Sequence, residues 1–158
     1  MDTWLAVSGH FGAFTPSVAA GVAAALLLAI AALHFVWASG SSFPTADRRA
    51  LVATVVGGSI DQQMPGQVAT AIVAIGLTLA AWWAAALGGL VPEPVPSAWM
   101  QPGGLAIVAI FGARGIGGFF EARLRPSIRG TPYLRYNQIL YSPLAVLIAV
   151  LVACTILA

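Results

Sequence analysis

The chain has 158 residues, 59% of them hydrophobic and 8% charged, with seven basic residues, all arginine, against five acids and a formal net charge of +2. An average soluble domain carries roughly 25% charged residues, so a water-soluble globular fold is excluded, and with it the basic face that nucleic-acid binding requires. The length suits a single domain over residues 1–158, and the lone Cys154 offers neither an internal disulfide nor a thiolate metal site.

The first stretch, "MDTWLAVSGHFGAFT", lacks the basic start of a signal peptide and carries Asp2 instead. The first apolar run follows, "PSVAAGVAAALLLAIAALHFVWA", over about 16–38. A helix needs about 20 mostly apolar residues to cross a hydrocarbon core ~30 Å thick. Proline at its start costs little, because the first N–H of a helix has no partner anyway. Segment 50–60, "ALVATVVGGSI", is apolar but too short to span, and reads either as a re-entrant or interfacial piece or as an ordinary loop. The second span covers about 66–91 and the third about 103–122, "GGLAIVAIFGARGIGGFFEA". The fourth, about 139–158, opens with "ILYSPL", where Pro143 falls near the first turn and is tolerated. All four are continuous apolar runs without the alternation of a barrel strand. The expected fold is an all-α membrane protein, a four-transmembrane-helix bundle.

Arginine placement orients it. Arg48 and Arg49 lie between spans one and two, and Arg123, Arg125, Arg129 and Arg135 between spans three and four. The opposite connections carry no lysine or arginine. The positive side is cytoplasmic, so both termini are expected outside a bacterial inner membrane crossed in several passes. Trp4, Trp37 and Trp99 fall near span ends, where indole rings favour the interface, while Trp82 and Trp83 fall mid-span.

With that orientation the unusual polar residues all fall on the cytoplasmic half. Arg114 lies about seven residues, roughly 10 Å, before the end of the third span. Glu121 projects from nearly the same helix face, and Gly118 between them leaves that face open. A lone arginine in lipid costs ~2.5 kcal/mol or more, so Arg114 is expected to face the interior with Glu121, Asp61 or a bound anion as partner. The pair reads as an internal ion pair, a ligand-binding pair or a catalytic pair. His34 and Trp37 sit at the end of span one, and Asn137, Tyr141 and Ser142 near the start of span four. His34, Trp37, Arg114, Glu121, Asn137 and Tyr141 are therefore the candidate ligand-binding residues. Arg123, Arg125, Arg129 and Arg135 suit anionic lipid headgroups. No catalytic residue is assigned. No metal or cofactor is expected: haem needs axial ligands, and His10 and His34 fall on opposite sides. Among the glycines of span three, Ala113 and Gly117 have the small-xxx-small spacing that lets another helix approach.

Three stretches, "ALHFVWASGS", "RGIGGFFEARLR" and "RGTPYLRYNQILYSPLAVLIA", together resemble a family of small bacterial four-helix integral membrane proteins. That family is known only as domain of unknown function 3995. His34, Trp37, Arg114, Phe119, Tyr141, Ser142 and Pro143 match its pattern, and Asn137 stands where the pattern has an aspartate. The resemblance implies the fold and no activity.

Two classes of function remain. One is a non-catalytic protein that binds a lipid or small anion, or serves as accessory subunit of a membrane complex, with membrane lipids, a second copy or a larger complex as partners. The other is a membrane-embedded enzyme acting on a lipid-like substrate, with Glu121 or His34 as acid–base. A small transporter ranks below both, because the outer half of the chain is almost without polar residues.

Overall fold

The computed structural model describes residues 15–57 and 65–158. The tail with Trp4 and His10, and the stretch holding Asp61, Gln62 and Gln63, lie outside the described residues. Four helical stretches are long and apolar enough to cross a membrane: Pro16–Ala38, Gln67–Leu87, Ser97–Leu124 and Pro132–Leu157. Among the described residues there is no strand.

Helix α1 (Pro16–Ala38) starts where the Thr15 hydroxyl accepts from the Val18 N–H, with Pro16 in the first position. Its buried stripe is Ala19, Ala20, Ala23, Ala24, Leu27 and Ala31. Helix α3 (Gln67–Leu87) answers with Ala74, Ala81, Ala84 and Ala85. Lipid tails are as apolar as leucine, so helices in a membrane gain mainly by close packing, and small side chains permit the closest approach. At the end of α3 a Cβ on Gly88 would collide with the Ala20 methyl and lie 3.3 Å from Ser17 Cα.

Helix α4 (Met100–Leu124) packs chiefly on α6 (Ser142–Leu157), and α6 also meets α1. A Cβ on Gly115 would stand 2.8 Å from Val146 N and 3.0 Å from Ser142 O, so glycine there brings the two backbones together. Ala113 and Gly117 are exposed, and nothing lies within 4 Å of a Cβ on Gly117. The small-xxx-small pair is thus unused within the bundle. The contacts are made by Gly115 and Gly118, which lie round the helix from it.

Helices α3 and α4 are tied at the ends away from the arginines, where Trp83 Nε1 donates to Met100 O at 2.9 Å. Trp82 Nε1 donates to Pro92 O at 3.0 Å. Both tryptophans therefore sit in the last turns of α3 and not mid-span, because the helix stops at Leu87 and not near Val91. Both indoles have backbone partners there.

The last span also differs from expectation. Its helix begins at Pro132, capped by the Thr131 hydroxyl, with α5 (Pro132–Tyr136) leading through a π-helical turn, Asn137–Tyr141, into α6. The turn has a local cause. Pro143 lacks an N–H and its ring crowds the carbonyl a turn earlier, and the Ser142 N–H donates instead to Asn137 O in the wider π pattern. Pro143 thus lies well inside a continuous helix.

Between α1 and α3, the short helix α2 (Arg48–Val55) neither spans nor forms a plain loop. Asp47 caps it, its Oδ1 accepting from Ala50 N at 2.9 Å, and Leu51 is fully buried beneath it. It packs against α5 at the arginine-bearing end of the bundle. There Gly57 has φ +69°, and a Cβ on it would collide with the Tyr133 ring. Both the backbone angle and the contact demand glycine.

Candidate functional site

The polar chemistry of the described residues converges where α4, α5 and the π turn meet. Asn137, wholly buried, is its centre. Its Nδ2 donates to Gly118 O at 2.8 Å and to Glu121 Oε2 at 3.2 Å. Its Oδ1 accepts from Arg114 Nη2 at 3.0 Å and from the Ser142 hydroxyl at 3.2 Å. An amide has two donors and two acceptor lone pairs, so every one is used. The surroundings also fix which way the amide points, since the carboxylate and carbonyl need its N–H groups and the guanidinium needs its oxygen.

Glu121 is equally committed. Its Oε1 accepts from Arg125 Nη1 at 2.7 Å, and its Oε2 from the Tyr133 hydroxyl at 2.6 Å as well as from Asn137. Arg125 Nη2 reaches across to Gly57 O at 3.2 Å and so fastens the end of α2 to α4. Tyr141 donates to Thr54 O at 3.2 Å, a second tie to α2, and its ring stacks on Tyr136 with centroids 6.3 Å apart. No buried side-chain nitrogen or oxygen among the described residues lacks a partner.

Gly118 makes this arrangement possible. A Cβ there would collide with the Ser142 hydroxyl, stand 2.7 Å from Arg114 Nη1 and 3.2 Å from Asn137 Nδ2. Arg114 thus extends its side chain one turn toward the arginine end, over the glycine, which shortens its path to the interface. Helix α4 runs to Leu124, so the Arg114 Cα lies about 15 Å from that end at 1.5 Å per residue, deeper than the sequence spacing implied.

Arg114 and Glu121 do not pair directly. Asn137 stands between them, and the ion pair of the site is Glu121 with Arg125. Arg114 is also exposed on the outer surface of the bundle and not enclosed within it. Two of its nitrogens remain beyond the Asn137 contact, Nε and Nη1, and among the described residues it has no carboxylate within ion-pair distance. Asp61, the other expected partner, lies outside the described residues. One glutamate and two arginines give the described network a formal charge of +1.

The loop arginines divide by what they touch. Arg125, expected among the arginines that suit anionic lipid headgroups, crosslinks Glu121 and Gly57. Arg129 Nε donates to Ala122 O at 3.1 Å and satisfies a carbonyl in the last turn of α4. Arg123 lies over the Phe120 ring, 5.4 Å from its centroid, and Arg135 is exposed. His34 and Trp37 lie together on α1 with ring centroids 4.9 Å apart. Their hydrogen bonds run to Ile30 O at 2.8 Å and Phe43 O at 2.7 Å, outside the network around Asn137. Sequence reasoning missed Tyr133, Thr54 and Gly57. Tyr133 precedes Asn137 by four residues, a spacing that puts both on one helix face, but the helix was expected to begin only after them.

The family described as "Protein of unknown function (DUF3995)" matches residues 26–152, which takes in α1 from its middle, α2 to α5 and α6 as far as Val152. Neither a curated protein nor a solved structure matches the chain.

Proposed function

The chain belongs to the DUF3995 family, and from that premise we propose that it is a non-catalytic protein of the bacterial inner membrane that binds an anion at Arg114. The anion is a phosphate or carboxylate, carried by a lipid headgroup or by a small molecule. The observation that carries the reading is the setting of Arg114. It is exposed in the arginine-side half of an apolar span, donates one described hydrogen bond, to Asn137, and retains the donors that suit a planar oxyanion. A charge at that depth calls for a counter-charge, and the formal +1 of the network leaves room for one.

The commitments of Glu121 favour binding over catalysis. A carboxylate already accepting from Arg125, Tyr133 and Asn137 serves as an anchor, whereas a general base needs a free lone pair within reach of substrate. Arg48, Arg49 and the arginines of the 123–135 link support a cytoplasmic position for the arginine end. The exposed Ala113 and Gly117 favour one further role, as accessory subunit, because that small-residue face suits a helix of another chain.

The test is thermal unfolding of the purified protein in mild detergent, with phosphatidylglycerol, phosphatidylcholine or inorganic phosphate added. A ligand at 100 times its Kd stabilises by about 2.7 kcal/mol. Phosphatidylglycerol should raise Tm more in wild type than in Arg114→Gln, while phosphatidylcholine leaves both unchanged. An equal rise with inorganic phosphate identifies a free anion as the ligand. Equal shifts in wild type and variant with every addition would refute binding at Arg114.

A further inference from the structure

The helical stretch that buries Tyr133 and Asn137 against α4 has an opposite face, and that face is not flat. A surface depression lies along it, with Thr131, Leu134, Arg135, Gln138 and Ile139 in its lining. Polar and apolar groups are mixed along it, and its inner end is apolar. Thr131 sits in the loop at the arginine end, Arg135 and Gln138 are exposed further in, and Ile139 is 62% exposed one turn, about 6 Å, beyond Arg135. The next residue, Leu140, is also half exposed. The depression therefore holds its polar groups over residues 131–138 and ends on Ile139. Arg135 has no carboxylate within ion-pair distance among the described residues.

We propose that this depression binds one anionic glycerophospholipid, with its phosphate on Arg135 and Gln138 and the upper part of an acyl chain along Ile139. Charge complementarity selects the headgroup, and the apolar inner end at Ile139 selects the lipid over a soluble anion. A soluble phosphate would gain nothing from Ile139, and an apolar helix would leave the Arg135 guanidinium without a partner. The inference rests on the membrane reading of the chain but not on the anion at Arg114, which belongs to a different helix. The site resembles in character the basic interfacial pockets that hold anionic headgroups on the cytoplasmic side of membrane proteins.

The experiment places the full chain in nanodiscs containing a photoactivatable phosphatidylglycerol, with the reactive group high on one acyl chain. Adducts are mapped by peptide mass spectrometry in wild type, Arg135→Gln and Arg114→Gln. Wild type should carry adducts on residues 131–139 several-fold above those on the exposed α3 residues Val68 and Ile72. Arg135→Gln should lose that excess, and unlabelled phosphatidylglycerol should compete for it where phosphatidylcholine does not. Arg114→Gln should keep it, which separates this site from the one at Arg114. Arg135 makes no described internal hydrogen bond, so its replacement should leave elution and helicity unchanged. Adducts spread evenly over α3 and the 131–139 stretch, or an unchanged excess in Arg135→Gln, would overturn the proposal.

Discussion

Asn137 donates to the Glu121 carboxylate at 3.2 Å, and that contact decides what residue 137 has to be. The same amide accepts from Arg114 at 3.0 Å, so a carboxylate and a guanidinium on one helix are joined through a neutral group on another. An aspartate at 137 would strengthen the side facing Arg114. It would also set two carboxylates against each other and strip Gly118 O of its donor.

Asn137→Asp is therefore expected to destabilise the protein by about 2 kcal/mol, the order of a buried group left without its hydrogen bond. Glu121→Gln in the same chain should recover much of that loss, because the new amide donates to the introduced aspartate in place of the repulsion. Thermal unfolding of the two single variants and the double variant measures the coupling. An Asn137→Asp protein as stable as wild type would show that the contact with Glu121 contributes nothing.

Two glycines one residue apart should respond oppositely to alanine. A Cβ on Gly118 meets Ser142, Arg114 and Asn137, whereas nothing lies within 4 Å of one on Gly117. Overpacking costs about 1–3 kcal/mol, while alanine is favoured over glycine inside a helix by up to about 1 kcal/mol. Gly118→Ala should lower Tm and Gly117→Ala should hold or raise it. A fall with Gly117→Ala alone would mean that its open face is covered by another helix in the purified protein.

Arg125 and Arg123 make a second contrasting pair. Arg125 joins Glu121 to Gly57, and Arg123 rests on Phe120. Arg125 is 38% exposed, so its ion pair is worth no more than about 1 kcal/mol. The larger consequence is local. Arg125→Ala should release α2, raising amide exchange over Arg48–Gly57 while the four spans stay protected. Arg123→Ala should leave the exchange pattern as it is.

Tyr133→Phe removes the hydroxyl that donates to Glu121 at 2.6 Å while keeping the ring against Gly57. A cost of about 1.5–3 kcal/mol is expected for a hydrogen bond to a charged group, with α2 still docked. Gly57→Ala should do the reverse and displace α2, since its Cβ would enter the Tyr133 ring. Limited proteolysis in the 48–57 stretch distinguishes the two.

The four spans were legible because membrane crossing is a matter of length and hydropathy alone. The face shared by Arg114, Gly118 and Glu121 followed from helical spacing. What spacing on one helix does not contain is the partner on the next. Asn137 and Tyr133 reach Glu121 because the last helix starts at Pro132, several residues before its apolar run, and because a π turn carries it past Pro143. Polar residues at a span boundary leave no hydropathy signal of that continuation. The glycines show the same limit. Ala113 and Gly117 have the familiar spacing, yet the α4–α6 contact uses Gly115 and Gly118, a choice set by the crossing geometry of the helices. Exposure of Arg114 was likewise outside the reach of a rule that sends buried charges inward.

The central claim is that Asn137 holds Arg114 at the bundle surface to receive an anion. Native mass spectrometry of wild type and Arg114→Gln, each released gently from its own membrane, tests it most directly. Wild type should retain one more anionic small molecule or lipid than the variant, with both proteins folded and the mass of the difference identifying the ligand. The same set of bound masses on both would contradict the claim and leave Arg114 as a structural partner of Asn137.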